Sequence, residues 1–161
     1  MTDARTRVPS NCAFTSQHGQ PDLAQTEGAP PTTGLGIMNG GLQVVNPSMA
    51  VYNLILAQLH SDTAVSGYDF ADQSLLSDLF LGRWVALPYI YNALKTLRWK
   101  GVHDAIWRDD QVKNVHYILA PKPWDEIEKK GQAEDGTHEW WFDANEARLK
   151  EEKEKGVVDG F

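Results

Sequence analysis

Val115-His116-Tyr117-Ile118-Leu119-Ala120-Pro121-Lys122-Pro123-Trp124 is a short apolar strand that runs into a turn bounded by two prolines. The strand end delivers a histidine, and a lysine follows six residues later. A neutral imidazole suits a metal ion, and an ammonium whose backbone is fixed by prolines on both sides suits phosphate oxygens, so the pair fits a metal-bound diphosphate. Read alone, such spacing is also common in ordinary strand ends. Working outward, Val112 to Leu119 and Trp84 to Leu87 read as short apolar strands, and Gly40 to Val45 as a third. Between them, Val51, Leu54, Ile55, Gln58 and Leu59 recur at helical spacing, giving one apolar face to lie on a sheet. Asn46 and Pro47 read as its cap and first helical position. Leu75, Leu76, Leu79 and Phe80 repeat the helical pattern, with Asp72 as cap and Gly82 as stop. Helices alternating with short strands predict an α/β fold, a mixed sheet flanked by helices.

Size and charge narrow the function. The chain has 161 residues and 42% hydrophobic content, enough for one core but not for a multidomain enzyme. With 15 basic against 22 acidic residues, the formal charge of -7 argues against a nucleic-acid partner, which needs clustered Lys and Arg. The single cysteine, Cys12, permits no internal disulfide and reads as a packing residue. The start of the chain lacks the apolar stretch of a signal peptide, and Asp78, Arg83, Pro88 and Lys95 interrupt the one run apolar enough to suggest a membrane span. The expected location is the cytoplasm. Residues 1–36 read as a loop or tail, 37–145 as the folded unit and 146–161 as a charged helical tail, with Glu139 to Lys155 helical and Trp140, Trp141 and Phe142 docking its first turn.

Three ordered segments carry a likeness to a known family. The His-Tyr and Lys-Pro-Trp elements of residues 116–124 resemble the closing motif of glycosyltransferase family 8, the glycogenin and galactinol synthase-like enzymes. Asn39-Gly40-Gly41 resembles the family's Asn-small-Gly strand, and Asp69-Phe70-Ala71-Asp72-Gln73 resembles its Asp-Gln motif. Leu87 to Asn92 and the Trp140-Trp141 pair are similar to the galactinol synthase-like branch. The likeness covers roughly residues 36–145 and implies the carboxy-terminal, acceptor-side half of a glycosyltransferase A-type fold.

That resemblance implies roles residue by residue. Asn39, Gly41 and Asp69 would serve the acceptor, Asp72 and Gln73 the sugar being transferred, and His116 and Lys122 the nucleotide diphosphate, with His116 also a ligand of manganese. The Gln73 amide would stabilise positive charge on an oxocarbenium-like sugar opposite the leaving diphosphate, which suits retention of configuration. The implied partners are a UDP-sugar donor and a small alcohol or polyol acceptor. On spacing alone, a turn is the favoured reading of Asn39, and turn and cap are the favoured readings of Asp69 and Asp72. His18, His60, His103 and His138 read as surface residues, and Arg83, Lys95, Arg98 and Lys100 as solvated charges. Among Trp99, Trp107, Trp124, Tyr89 and Tyr91, core packing is favoured over sugar stacking.

Two departures qualify the likeness. The chain has no Asp-x-Asp, the pair with which such enzymes hold their metal, and Leu119 stands where many relatives have glycine. A non-catalytic protein that keeps the fold is therefore the rival reading. A half domain would leave apolar surface uncovered, so self-association is expected.

Overall fold

In the computed structural model the described residues are 9–61 and 66–157. The first eight residues of the expected tail and residues 158–161 of the charged tail lie outside the described residues. The chain combines helices with one small parallel sheet, an α/β arrangement. Strand β1, Ala93–Leu94, pairs with β2, Val115–His116, in the register Ala93 to Val115 and Leu94 to His116. Helix α1 is Met49–Leu59, α2 is Ala71–Leu79 and α3 is Thr137–Glu154. Single 3-10 turns supply much of the remaining regular structure.

The core forms where the sheet meets the segments around it. Ala24, Tyr89, Ile90, Ala93, Leu97, Ile106 and Trp107 are buried together, with Phe14, Leu94, Val112 and Trp140 against them. Tyr89 and Trp107 lie 5.8 Å apart, centroid to centroid, and Trp140 stacks on Trp107 at 6.5 Å. The Tyr89 hydroxyl donates to Gln25 and accepts from the Arg108 amide, which lets a buried phenol keep its hydrogen bonds. Ala24 in this cluster anchors the irregular stretch 9–36 through its 3-10 turns.

Several expectations change. Gly40 to Val45 and Trp84 to Leu87 are irregular rather than strands, and the expected mixed sheet is a parallel pair of two residues each. A strand needs a neighbour to take its backbone hydrogen bonds, and none pairs with these segments among the described residues; Val44 is 82% and Val85 87% exposed. Helix α1 exists as expected, but Ser48, not Asn46, caps it, its hydroxyl accepting from the Val51 amide. No residue of α1 is fully buried, so its apolar face lines a groove instead of lying on a sheet. Asp72 is in the first turn of α2 and Phe70 occupies the cap position, without a side-chain hydrogen bond. Gly82 follows the helix in the left-handed region, φ 70°, three residues past Leu79.

Helix α3 agrees with the expected span to within two residues at its start. Its first turn is sunk into the protein through Thr137, His138 and Phe142, while Trp141 meets Trp124 at 6.1 Å. Arg148 pairs with Glu152 and Lys155 with Glu151 further along, the i,i+4 support that its composition foretells. His103 and His138 are buried, not surface residues, and Lys95 is buried as well. Each found partners that are distant in the chain: His103 meets His18 and Cys12, and Lys95 meets His138. Arg98 is held by Asp109 through two hydrogen bonds of 2.9 Å each.

Two carboxylates tie this core to pH. Hydrogen bonds from Arg98 hold Asp109 below the ordinary carboxylate value of 3.8, outweighing burial. Burial raises Asp135, but donors from Thr137 and Trp99 carry its pKa below the ordinary value. A folded-state pKa below the unfolded one gives stability that is complete above the unfolded value and is lost as pH falls through the folded one. The melting temperature is expected to drop below about pH 4, and to depend less steeply on pH in Asp135→Asn. A melting curve flat from neutral pH into that acid range contradicts this.

Leu119 has φ 63°, a left-handed conformation that Cβ sterics disfavour, and its side chain is more than half exposed. Left-handed backbone costs a non-glycine residue about 1–2 kcal/mol, and glycine returns part of that gain through its freer unfolded state. Leu119→Gly is therefore expected to raise unfolding stability by up to about 1 kcal/mol. A lower urea midpoint would contradict the assignment of strain there.

Candidate functional site

The loop 39–41, the start of α2 and the end of β2 meet at one place. The Gly40 amide donates to Gln73 Oε1 at 3.1 Å, across 33 residues of chain. Asn39 Oδ1 accepts from the Gly41 amide at 2.8 Å and from Asn92 Nδ2 at 2.9 Å, which fixes the loop's turn and ties it to the residue before β1. The His116 ring lies directly on Gly41: a Cβ there would come within 2.8 Å of both Cε1 and Nδ1. Asp72 stands over Gly40, its Oδ2 3.4 Å from where a Cβ would be. Asn39, Gly41, Asp72, Gln73 and His116 are thus brought together, with Gly41 permitting the close approach of the imidazole.

His116 carries an informative electrostatic state. Burial first, and the Lys122 charge second, push its pKa below the ordinary 6.5, so the ring is neutral at neutral pH. Its Nδ1 is buried and has no hydrogen-bond partner. A buried imidazole nitrogen without a partner, covered by Gly41, is the kind of unsatisfied group that occurs at functional sites. Lys122 donates to the Tyr117 carbonyl, one residue past His116, which leaves two of its three ammonium protons uncommitted by that bond.

The remaining expected residues behave differently. Asp69 is exposed in the turn before α2 and takes no part in the hydrogen bonds that join Asn39, Gly40, Gln73 and Asn92. Gln73 is committed at its oxygen to Gly40, and that oxygen keeps a second lone pair. Trp107 and Tyr89 belong to the core, while Trp124 and Tyr91 remain about half exposed.

Sequence reasoning missed three features. Asn92 is the second partner of Asn39, and only its place in the segment 87–92 hinted at a role. Ser77 accepts from the Met38 amide and donates to the Gln73 carbonyl, bracing the loop against α2. Ala71 has φ 43°, so the turn that aims Asp72 and Gln73 is built on a left-handed residue, the kind of strain found where geometry matters more than local comfort.

Beside this cluster runs a groove of about 940 Å3, bordered by Asn39, Leu42, Val51, Ile55, Phe80 and Trp84 among others. Its walls are mostly apolar, and α1 forms one side. As a complete manganese site the described residues do not fit, since no three His, Cys, Asp or Glu side chains among them converge. His116 Nδ1 offers one donor. Among the described residues no helix is long and apolar enough to cross a membrane.

Comparison with known proteins is sparse. No protein-family model matches the chain, and no solved structure matches it. In an alignment of 116 positions that covers 66% of this chain, it is 30% identical to a protein of Streptococcus gordonii described as a probable glycosyl transferase. The matched region spans only 15% of that protein's length.

Proposed function

We propose that the chain carries the acceptor-side part of a site that transfers a sugar from a UDP-sugar to an alcohol or polyol with retention of configuration. One observation carries this reading: loop 39–41, the Asp72-Gln73 helix start and His116, far apart in sequence, converge on two glycines around a buried imidazole nitrogen that has no partner. The similarity to a probable glycosyl transferase supports the coarser part, glycosyl transfer.

Within this reading the roles divide by charge. Lys122 provides cationic donors where the departing diphosphate gathers negative charge, and neutral His116 adds a nitrogen at the same edge. Gln73 and Asp72 face the sugar from the helix start, where a carboxylate and an amide oxygen stabilise developing positive charge. Asn39, Gly41 and Asp69 serve the acceptor hydroxyl, and the apolar groove takes the body of the acceptor. By family likeness His116 would be this chain's one contact to a manganese ion whose remaining ligands are not among the described residues.

The test is UDP release and labelled-product formation from UDP-galactose and UDP-glucose with small polyols, using this chain and any longer form that contains it. Gln73→Ala and Asp72→Asn should each slow transfer by about 10²-fold or more. Unchanged transfer in both variants sinks the site assignment. A second reading, a non-catalytic binding protein, is favoured by one fact: Gln73 Oε1 is already occupied by the Gly40 amide, as a purely structural glutamine would be.

The same reading predicts association between chains. Val44, Val45 and Val85, which border the groove, are each well over half exposed, and so are Met49 and Leu81. Sedimentation velocity is expected to give a weight-average mass that rises with concentration, and a sharp 18.0 kDa monomer at all concentrations would contradict it.

A further inference from the structure

Beneath the turn that carries Lys122 lies a chain of three polar side chains to which sugar transfer assigns no task. Lys95 is 2% exposed and His138 1%, and both are among the largest fully buried side chains. Lys95 Nζ donates to the Pro121 carbonyl at 2.7 Å and lies 3.1 Å from His138 Nε2. On the other side of the ring, His138 Nδ1 is 3.0 Å from Glu126 Oε2. Glu126 also takes the Lys129 ammonium at 2.9 Å.

The protonation of this chain follows from donor and acceptor counting. An ammonium can only donate, so His138 Nε2 must offer its lone pair. The ring proton then sits on Nδ1 and points at Glu126. One neutral tautomer satisfies both contacts, and the imidazole bridges a buried cation to a carboxylate near the surface. Removing one member strands a charge or a polar group away from water, so the three residues depend on one another.

Their position connects them to the site. Pro121 immediately precedes Lys122, whose ammonium donates to the Tyr117 carbonyl beside His116. Tyr117 lies edge-on to the His138 ring, and its hydroxyl donates to the Thr137 carbonyl at the start of α3 at 2.9 Å. The Lys95, His138 and Glu126 chain therefore fastens three segments to one another: the 3-10 turn after β1, the turn 120–126, and the first turn of α3.

We propose that Lys95, His138 and Glu126 form a positioning relay that holds the turn around Pro121 and so presents Lys122 beside His116 to a diphosphate. The inference rests on the sugar-transfer reading for the identity of the anion. None of the three touches a reacting atom; they act through Lys122. Buried ionic groups are a poor means of gaining stability compared with apolar residues of similar volume, whereas in some proteins they fix a unique arrangement. An apolar pair in their place would fill the same space and leave the Pro121 carbonyl unheld.

The decisive variant is the double replacement Lys95→Met with His138→Leu, which removes both buried polar partners at once and keeps the core filled. Two quantities are read on the folded protein: the rate at which a water-soluble acetylating reagent modifies Lys122, by peptide mass spectrometry, and the affinity for inorganic pyrophosphate, by calorimetry. The relay predicts several-fold faster acetylation of Lys122 and about tenfold weaker pyrophosphate binding, with His138→Gln, which keeps one donor and one acceptor, returning both toward the native values. A folded double variant with unchanged Lys122 acetylation overturns the relay. If that variant does not fold, Glu126→Ala, altered at the partly exposed end, is read for the same two quantities with the same expected directions. Failure of the native protein to bind pyrophosphate removes the diphosphate reading alone, and the acetylation rate still decides the relay.

Discussion

Gly41→Ala is expected to lower sugar transfer and UDP affinity by about 10²-fold while leaving stability within about 1 kcal/mol of the native protein. The added methyl would sit 2.8 Å from His116 Cε1 and Nδ1 and 2.9 Å from Asn39 Oδ1, closer than real side chains approach. Either the imidazole or the loop must move by a good fraction of an ångström, and a misplacement of that size in a reacting site costs about 10²-fold. The stability side of the expectation comes from the glycine's surroundings. Gly41 is exposed, and its backbone is not among the left-handed glycines, so the substitution strains the site and not the core. Parallel measurement of UDP affinity and urea midpoint separates the two effects. Native affinity in Gly41→Ala would mean that contact between His116 and the glycine loop has no bearing on ligand binding.

Trp107→Ala is expected to cost about 3–5 kcal/mol of unfolding free energy, the range for truncating a buried aromatic. Trp107 is 7% exposed and sits between Tyr89 and Trp140, so its removal opens a cavity between the sheet segment and α3. Its indole N–H also donates to Asp109, the carboxylate that Arg98 grips, and that carboxylate would lose one of its donors. Against a total stability of about 5–15 kcal/mol this one change consumes a large share. The unfolding midpoint in urea measures it, and a loss below about 1 kcal/mol would mean that this aromatic stack does not organise the core.

What could be read from the sequence depended on the range of the interactions involved. Helix α3 was legible because its signals are local: Trp140, Trp141 and Phe142 mark a buried first turn, and Glu and Lys at supporting intervals follow. Helix α1 was legible as a helix, but where its face points is a tertiary matter, and Val51 and Ile55 line a groove instead of meeting a sheet. The strands were hard to place because two residues show no alternation; Trp84 to Leu87 looked as strand-like as Val115–His116, and only pairing distinguishes them. Lys95 reads as a solvated charge in the sequence because nothing near it announces His138, 43 residues away.

The candidate site divides in the same way. Asn39, Gly41, Asp72, Gln73, His116 and Lys122 enter the candidate site through family likeness, while spacing alone favours turn and cap readings for several of them. Asn92 and Ser77 escaped because their work is to hold other residues, which no motif spells out. The left-handed φ of Ala71 and Leu119 escaped because neither residue type signals it.

We propose that the glycine loop, the Asp72-Gln73 helix start and the His116 to Lys122 turn form one nucleotide-sugar site. Backbone amide spectra of the labelled protein, recorded as UDP is added to millimolar concentration, report on this site residue by residue. Shifts confined to Gly40, Gly41, Gln73, His116 and Lys122 and their neighbours are the expected result. Signals unmoved there, or perturbed only at distant surfaces such as the far end of α3, would contradict it.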